Sequence, residues 1–337
     1  MSLKRVVISG IGTINPLGNN IGEFFSNLDK GVSGAGPIDI FDTTLFKTKF
    51  ACQVKGYHPG NFGLDRKEYR KLDRYSQFAL IATDEAIKDS SLDLESIDKS
   101  RVGVVLGTGI GGIETFGDEL RDFSAGDGTP RFSPYYILKV IANIAAGWIS
   151  LKYGFTGPGY ATSSACASSA HALMDAFNLI RLGKADIVIS GGSEAPISVS
   201  AIGGFNSAKA LSVNNENMTK ASRPFDAQRD GFVMGEGSGI LILEEYEHAV
   251  ARGAKIYAEF AGAGVTTDAY HVTAPHPEGD GAARAMVLAL EEAGLSPEDV
   301  DYINAHGTST PLGDVVELKA IKTVFGEHAY KLNISAT

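Results

Sequence analysis

The sequence predicts an α/β fold in which helices cover both faces of buried sheets, and three observations support this class. Short runs of β-branched residues alternate with amphipathic helical patterns along the chain. The strand-like runs are apolar at consecutive positions, which is typical of strands buried on both faces. A helix, turn and strand pattern recurs at an offset of 200 residues, between the Gly-Thr pairs at 107–108 and 307–308. We therefore expect two similar βαβαβ-type halves.

Six strand-like runs and several helical segments define the elements in chain order. The strands are RVVISG at 5–10, RVGVVLGTG at 101–109, DIVISGG at 186–192, GILILEE at 239–245, IYAEFAGAG at 256–264 and DYINAHGT at 301–308. Apolar residues at three- and four-residue steps predict helices over 76–88, 167–181 and 282–292. The apolar run 135–154 contains Lys139 and Asn143, so we expect a buried core helix there and not a membrane span.

The second half of the sequence is shorter than the first. After 107–108 the first copy continues through further helices and strands to about residue 250, whereas after 307–308 only one helix and the strand-like YKLNISAT remain. We therefore expect an N-terminal half over 1–255 and an incomplete C-terminal half over 256–337.

Composition and charge argue against several classes of protein. Of the 337 residues, 44% are hydrophobic and 21% charged, which is typical of a globular chain with a large core. The net charge of -10 argues against nucleic acid as a partner, because phosphate binding needs a basic surface. Two cysteines are too few for a disulfide framework, and the first residues, MSLKRVVISG, lack the apolar segment of a signal peptide. We expect a cytoplasmic enzyme with no nucleic-acid partner and no membrane segment.

Cys166 stands in the stretch ATSSACASSAHA, where nearly every neighbour is small or hydroxylated. A loop precedes it and a helical pattern follows, so the sequence places Cys166 at or beside the amino end of a helix. There the helix dipole favours a thiolate by up to ~2 kcal/mol, which lowers the thiol pKa by roughly 1.5 units. The alternative is a small buried hydrophobic residue, and this stretch alone leaves both open. Cys52, in KFACQV, has no such setting and is expected in the core.

His306 lies at the end of the last buried strand-like run, where open α/β sheets place their reactive groups. A histidine at a strand end is more often structural. Here, however, Gly307 allows a ligand to approach the backbone, and Thr308 and Thr310 offer hydroxyl groups.

Two acids, Asp314 and Glu317, follow on one face of the next predicted helix, where they could anchor a cation or orient a base. A metal site formed with His306 would lack a second histidine at ligand spacing, so a metal is not favoured.

The segment DRKEYRKLDRYS at 65–76 concentrates five basic residues on an acidic protein. Positions 67, 70, 71 and 74 share one face if the segment is helical, which predicts a basic stripe. A solvated helix face is the more common explanation of such a run.

Four motifs in this order, TSSACASSAH, SRPFDAQRDGFVMGEGSG, DAYHVTAP and NAHGTSTPLGD, resemble those of the β-ketoacyl-acyl-carrier-protein synthases, condensing enzymes of fatty-acid synthesis with the thiolase fold. The opening segment RVVISGIGTINPLGNN and the later segment FDTTLFKTKFACQV are most similar to the type II elongation enzyme, and the resemblance covers the whole chain. It implies a thiolase-like fold and a decarboxylative Claisen condensation of malonyl-acyl-carrier protein with an enzyme-bound acyl group, which elongates fatty acids by two carbons.

The resemblance assigns roles to the reactive side chains. It implies that Cys166 holds the acyl chain as a thioester and that His306 assists decarboxylation of the malonyl group. It also implies that Thr308 and Thr310 hold the pantetheine arm and that Phe232 lines the site near the malonyl group.

Further residues are implied around this site. Ile110 matches a position that borders the acyl pocket, and Asp314 and Glu317 match an acidic pair with a supporting role. The residues implied in docking the acidic carrier protein are Lys67, Arg70, Lys71 and Lys209. The implied partners are acyl- and malonyl-loaded acyl carrier protein and a second copy of the chain in a homodimer. No cofactor is expected, because the substrates arrive on phosphopantetheine.

One departure and two alternatives accompany this interpretation. The family's second catalytic histidine and its lysine belong to a KSMTGH-type motif that would follow NISAT, so the chain as given is expected to lack both. The alternatives are a thiolase-type acyl-CoA C-acyltransferase and a polyketide ketosynthase or chain-length-factor-like subunit. NAHGTST argues against a thiolase, and the presence of Cys166 argues against a chain-length factor.

The glycines Gly107, Gly109 and Gly112 have the spacing of a dinucleotide-binding loop directly after a strand. The residues that follow, FSAGDGTPRFSPYY, predict a loop where a nicotinamide site would need a second strand. We therefore reject a dinucleotide and expect these glycines to make room for an acyl chain or for close packing.

Overall fold

The fold is that of a computed structural model, which describes residues 3–336. The chain forms two compact units. The first comprises the chain up to Asp42 with Ala51–Gly203 and Met234–Phe260, and the second comprises Thr43–Phe50, Gly204–Val233 and the chain from Ala261 onward. The division of the sequence into halves at 1–255 and 256–337 stays a prediction.

The strands, in chain order, are β1 (Val6–Ile14), β2 (Gly36–Pro37), β3 (Phe50–Ala51), β4 (Val102–Gly107), β5 (Gly159–Thr162), β6 (Ile187–Glu194), β7 (Gly237–Glu245), β8 (Ala258–Phe260), β9 (Tyr302–Asn304) and β10 (Asn333–Ser335). The α-helices are α1 (Ile21–Asp29), α2 (Arg66–Tyr69), α3 (Arg74–Ser90), α4 (Ile113–Ala125), α5 (Tyr136–Val140), α6 (Ile144–Tyr153), α7 (Ser168–Arg181), α8 (Val199–Ser207), α9 (Tyr246–Ala251), α10 (Asp280–Ala293) and α11 (Gly313–Phe325).

The first unit is built on a six-stranded sheet in the order β5-β4-β6-β7-β1-β8. Strand β4 is parallel to β5 and β6, and the remaining neighbours are antiparallel. All six residues of β4 are buried, as its uninterrupted apolar sequence predicts. The carboxyl ends of β4 and β6 come together because Gly107 pairs with Gly192. This edge carries the loops that are described below.

Helices cover both faces of this sheet, which confirms the predicted layers. Val104 and Val105 are adjacent in β4 and point to opposite faces, since side chains alternate along a strand. Val104 packs in a cluster with Phe78 of α3, and Val105 packs in a second cluster with Phe177 of α7. Each fully buried side chain of this size contributes about 1.5–3 kcal/mol to folding. The core therefore fixes α3 and α7 on opposite sides of β4.

In the second unit, β9 and β10 pair in parallel with α11 between them in sequence. The predicted repeat is visible in local structure. A 3-10 turn at Lys99–Arg101 links α3 to β4, and a 3-10 turn at Pro297–Asp299 links α10 to β9.

The single buried helix that we predicted over 135–154 was wrong. The segment forms two helices, α5 and α6, separated by a break at which Ile141 has extended backbone geometry. Ala145, Ala146 and Ile149 are buried in α6, but Leu151 is 73% exposed. Hydropathy alone could not show that the apolar residues face two directions.

Within residues 3–336, no helix is both long enough and apolar enough to cross a lipid bilayer.

Candidate active site

Cys166 is exposed and lies two residues before the first residue of α7, so its predicted location beside the amino end of a helix is confirmed. In the described part of the chain no side chain caps this helix, whose cap residue is Ala167. The Ser168 N–H donates to the Ala165 carbonyl at 3.1 Å, and the dipole of α7 favours negative charge beside its amino end. The local geometry therefore provides the electrostatic setting that a nucleophilic thiolate needs.

The backbone before Cys166 is held in a strained turn. Ala165 has φ of 50°, a left-handed conformation that is unfavourable for a residue with a β-carbon. The Ser168 hydroxyl donates to the Ala165 carbonyl at 2.7 Å and accepts the Ser164 N–H at 2.8 Å. His171 Nδ1 lies 2.8 Å from the Ser164 hydroxyl oxygen. These side chains of α7 fold the turn back on the helix and so fix Cys166. Sequence analysis missed Ser168 and His171, although both lie within the quoted stretch.

Gly107, the last residue of β4, and Gly112, in the loop that follows it, serve close packing, as one of the two sequence expectations stated. A β-carbon on Gly107 would lie 2.3 Å from the Ser168 carbonyl carbon, and one on Gly112 would lie 2.2 Å from the Lys139 carbonyl oxygen. Both positions exclude any larger residue, because neither contact can relax without moving backbone.

Glu194, at the end of β6, was also missed. Its carboxylate accepts the N–H of Gly109 at 2.5 Å, of Ile110 at 3.1 Å and of Gly111 at 3.2 Å, together with the Thr108 hydroxyl at 3.0 Å. Burial raises the pKa of the Glu194 carboxyl, and the hydrogen bonds that it accepts oppose this shift. The only sequence signal was an acid directly after a buried strand.

Cys52 has the opposite environment. It forms a bridge with Gly235 and is half-buried, and burial raises the pKa of its thiol to about 11. At neutral pH the Cys52 thiol is therefore protonated and unreactive, in keeping with its predicted structural role.

In the second unit, His306 is exposed two residues beyond the end of β9. Glu317 of α11 accepts the His306 N–H at 2.6 Å and the Gly307 N–H at 2.8 Å. This bidentate contact fixes the backbone on which the imidazole is mounted. Glu317 therefore orients His306 through the main chain.

The loop after His306 presents two hydroxyl groups together. The Thr308 and Thr310 hydroxyl oxygens lie 3.1 Å apart. Between them Ser309 is fully buried with φ of 63°, and it accepts the Arg223 N–H through its hydroxyl oxygen. Because the middle residue turns inward, the two threonines share the other side of the loop.

Arg229 holds this loop and was not singled out from the sequence. Its guanidinium donates to the carbonyls of Thr310 at 3.0 Å and Pro311 at 2.6 Å, and it lies 3.2 Å from the Asp314 carboxylate. The Asp314 carboxylate, 1% exposed as a residue, also accepts the Phe225 N–H at 2.7 Å. Asp314 and Arg229 thus form a buried ion pair behind the loop.

Phe232 belongs to the same unit as His306. It is partly buried, and its ring meets that of Phe205 edge-on at 5.3 Å between centroids. The preceding Gly231 donates its N–H to the Ser309 carbonyl at 3.1 Å. The structure therefore brings the Phe232 segment to the loop that carries Thr308 and Thr310.

The predicted basic stripe is not one helical face. Lys67 lies in the short helix α2, Arg70 caps that helix and Lys71 follows it. Arg74 starts a separate helix and pairs with buried Glu236 at 2.7 Å. The helical expectation was wrong because Leu72 and Asp73 turn the chain inward and both are buried.

Three of the four proposed docking residues are exposed, namely Lys67, Arg70 and Lys209, and Lys71 is half-buried. Arg70 also lines a cleft of ≈ 440 Å³ with Lys139, a second cation that sequence analysis did not connect with it. Lys209 belongs to the second unit and has φ of 55°.

Family models match nearly the whole chain. The beta-ketoacyl synthase N-terminal domain matches residues 3–249, and the beta-ketoacyl synthase C-terminal domain matches residues 257–337. The chain belongs to the beta-ketoacyl synthase family. Its similarity to individual members supports the same assignment.

Among curated members of the beta-ketoacyl synthase family, the 3-oxoacyl-[acyl-carrier-protein] synthase 2 of Synechocystis sp. is 48% identical over 334 residues, which is 99% of this chain and 80% of the relative. The protein of the same name from Staphylococcus aureus strain COL is 47% identical over 335 residues, with the same coverage.

Solved beta-ketoacyl synthase structures share the fold, which confirms the predicted thiolase-like class. A beta-ketoacyl synthase from Burkholderia phymatum has a TM-score of 0.87 at 37% identity, covering 96% of this chain and 79% of its own. A type II polyketide synthase acyl-carrier protein in complex with its ketosynthase bound to the hexaketide has a TM-score of 0.85 at 36% identity, covering 99% and 80%.

Residues 3–336 contain no group of three or more histidine, cysteine, aspartate or glutamate side chains placed to hold a metal ion.

Proposed function

We propose that this protein is a 3-oxoacyl-[acyl-carrier-protein] synthase that elongates fatty acids by decarboxylative condensation. The observation that carries the proposal is the exposed Cys166 beside the uncapped amino end of α7, after a strained turn. Curated relatives of this name, at 47–48% identity, support the reaction class.

In the first half-reaction, the Cys166 thiolate attacks the thioester carbonyl of acyl-loaded carrier protein. A new carbon–sulfur bond forms at Cys166, and the pantetheine thiolate leaves and takes up a proton. The amides at the amino end of α7 are suited to stabilise the oxyanion that forms in this step. No cofactor is required, because phosphopantetheine delivers the substrate.

In the second half-reaction, malonyl-carrier protein loses carbon dioxide, and the electron pair released forms a new carbon–carbon bond at the Cys166 thioester carbonyl. The cysteine thiolate then leaves. We assign His306 to the decarboxylation, with its backbone fixed by Glu317. We assign Thr308 and Thr310 to the pantetheine arm and Phe232 to the surroundings of the malonyl group.

Thioester formation tests this function directly. The protein is incubated with acyl-loaded acyl carrier protein, and the intact mass is measured. We expect one acyl group per chain in the wild type and none in Cys166→Ala. The matched control is Cys52→Ala, which removes the other thiol and should acylate normally. Acylation that survives in Cys166→Ala would refute the assignment.

We further propose that the docking residues recognise acyl carrier protein, as the polyketide ketosynthase neighbour is described in complex with its carrier protein. Complementary charge mainly speeds encounter. In the double variant Lys67→Glu with Arg70→Glu, we expect the KM for acyl-carrier protein to rise about tenfold, while acylation by a small acyl-CoA changes less than about twofold. Lys30→Glu, an exposed charge reversal elsewhere in the first unit, is the control. Equal loss on both substrates would contradict a docking role.

The state of the two cysteines bears on the location of the protein in the cell. Both cysteines are thiols and not halves of a disulfide, which supports a cytoplasmic location.

Strand β5 lies at the edge of the sheet, and its Tyr160 is 37% exposed, which supports a homodimer formed along this edge. Sedimentation velocity should give twice the mass of one chain, and a monomer at micromolar concentration would contradict the dimer.

Thiolase and polyketide activities are the alternatives. Carrier-bound malonyl consumption with release of carbon dioxide distinguishes the proposed reaction from a thiolase. Repeated extension of one primer to a reactive polyketone would favour a polyketide ketosynthase.

A further inference from the structure

The loop after β4 forms a cradle of backbone amides that the protein fills with its own anion. Three consecutive N–H groups, from Gly109, Ile110 and Gly111, converge on the Glu194 carboxylate at 2.5, 3.1 and 3.2 Å. The Thr108 hydroxyl adds a fourth bond at 3.0 Å. Successive amides of this kind bind anions. In a phosphate-binding loop the anion is a ligand, whereas here the place of the phosphate is taken by Glu194.

The sheet fixes the distance over which Glu194 must reach. Glu194 is the last residue of β6, and β6 is the parallel neighbour of β4, whose end carries the loop. Gly111 has φ of 66°, which aims its N–H back toward the carboxylate. One side chain on the adjacent strand therefore accepts hydrogen bonds from three consecutive amides of the loop and helps to set its position.

Ile110 is 40% exposed, so the core holds it only in part, and its backbone N–H is held by Glu194. The loop also lies against the turn that precedes Cys166. A β-carbon on Gly109 would be 3.4 Å from the Ala165 carbonyl oxygen, and the Ser163 hydroxyl donates to the Gly109 carbonyl at 3.4 Å. A shift of the loop would alter the space beside the turn that carries the nucleophile.

We propose that Glu194 is a positioning residue that sets the acyl-chain selectivity of the enzyme by holding Ile110 in place. The proposal rests on the proposed function, in which Ile110 borders the acyl chain. On this proposal the ligand is a long acyl group that reaches the Ile110 side chain, whereas a short acyl chain ends before it.

Glu194→Gln tests the proposal, because one carboxylate oxygen becomes an NH₂ group that faces N–H donors and cannot accept from them. The matched control is Glu85→Gln. Glu85 also accepts two backbone N–H groups, from Thr13 and Ile21, each at 2.8 Å. The same chemical change is thus made to the same kind of contact at another place in the first unit.

The measurement is the rate of thioester formation on Cys166 from carrier proteins loaded with short or long acyl chains. In Glu194→Gln we expect a loss of about tenfold in kcat/KM for long chains and less than about twofold for short ones. Iodoacetamide alkylation of Cys166 should keep its wild-type rate. In Glu85→Gln the ratio of the two rates should stay at the wild-type value.

Two further variants keep the test decisive. Thr108→Val keeps the volume but removes one of the four donors to Glu194 and the hydroxyl oxygen that accepts the Gly111 N–H at 3.1 Å. It should shift selectivity in the same direction, and it replaces Glu194→Gln as the test should that variant not fold. In an Ile110→Ala background, Glu194→Gln should change the ratio no further, because the residue through which it acts is gone. Equal loss for both chain lengths, an unchanged ratio, or a fully additive double variant would each overturn the proposal.

Failure of the proposed function gives a different result. If the wild type forms no thioester at Cys166, that function is refuted. The cradle is tested separately by amide hydrogen exchange over 108–112, which should accelerate in Glu194→Gln and not in Glu85→Gln.

Discussion

The strained turn before Cys166 makes a quantitative prediction for Ser168→Ala. Ser168 is 3% exposed, and its hydroxyl makes two hydrogen bonds that close the turn, at 2.7 Å to the Ala165 carbonyl and at 2.8 Å from the Ser164 N–H. The left-handed conformation of Ala165, at φ of 50°, costs about 1–2 kcal/mol. The turn persists because the hydroxyl compensates for this strain.

The size of the effect follows from these two terms. Each hydrogen bond contributes about 1 kcal/mol net, so the substitution removes ~2 kcal/mol from the closed turn. This is about a 30-fold increase in the ratio of open to closed turn, since 1.36 kcal/mol corresponds to tenfold. The remaining strain at Ala165 then favours relaxation. We expect acyl transfer to Cys166 to slow by about tenfold, because the thiol leaves the amino end of α7.

Two assays check this prediction. Intact-mass measurement gives the acylation rate, and hydrogen exchange of the peptide 162–170 gives the opening of the turn. Ser169→Ala is the control, since Ser169 lies in the same helical turn and its hydroxyl takes no part in these two bonds. Adding Ala165→Gly to Ser168→Ala should restore most of the rate, because glycine adopts positive φ without a steric cost. Wild-type acylation and exchange in Ser168→Ala would refute the reasoning.

Three other predictions concern the two units. The Cys52 thiol has a pKa raised to about 11, so iodoacetamide should label it only as the pH rises toward that value, whereas Cys166 should be labelled near neutrality. Peptide mass spectrometry from pH 6 to ~11 measures the labelling of each thiol. Equal labelling of both at pH 7 would contradict this. Gly107→Ala should lower the melting temperature by several degrees, because the alanine β-carbon would lie 2.3 Å from the Ser168 backbone. An unchanged calorimetric transition would show that strand β4 can move to make room. Glu317→Gln should slow malonyl decarboxylation about tenfold and leave acylation unchanged, because the side chain then offers only one acceptor for the N–H groups of His306 and Gly307. Equal slowing of both half-reactions would point to a general folding defect.

Most strands of the six-stranded sheet and the location of Cys166 beside a helix were predictable because they depend on local patterns. The apolar run of β4 requires two covered faces, and the small residues around Cys166 lead directly into the helical periodicity of α7. Strand ends were less predictable. The last two strand-like runs shorten to Ala258–Phe260 and Tyr302–Asn304, since apolar Ile256 and Tyr257 as well as the glycines that follow belong to loops in the structure.

Surface patterns were the least reliable. The spacing of Lys67, Arg70 and Arg74 fits one helical face, but buried Asp73 caps a new helix and Arg74 turns to Glu236. Helical spacing describes side chains only while the helix continues, and a capping residue ends it.

The sequence by itself determined the fold class and every strand of the six-stranded sheet except β5, since these follow from periodicity, and it singled out Cys166 and His306 by residue type and by family resemblance. Only the tertiary structure revealed the residues that hold them. Glu194 reaches its loop across 83–85 residues of sequence, and Arg229 reaches the Thr310 carbonyl across 81. Such contacts have no sequence period, because a backbone N–H donates to any carboxylate, and a backbone carbonyl accepts from any guanidinium, that the fold brings to it.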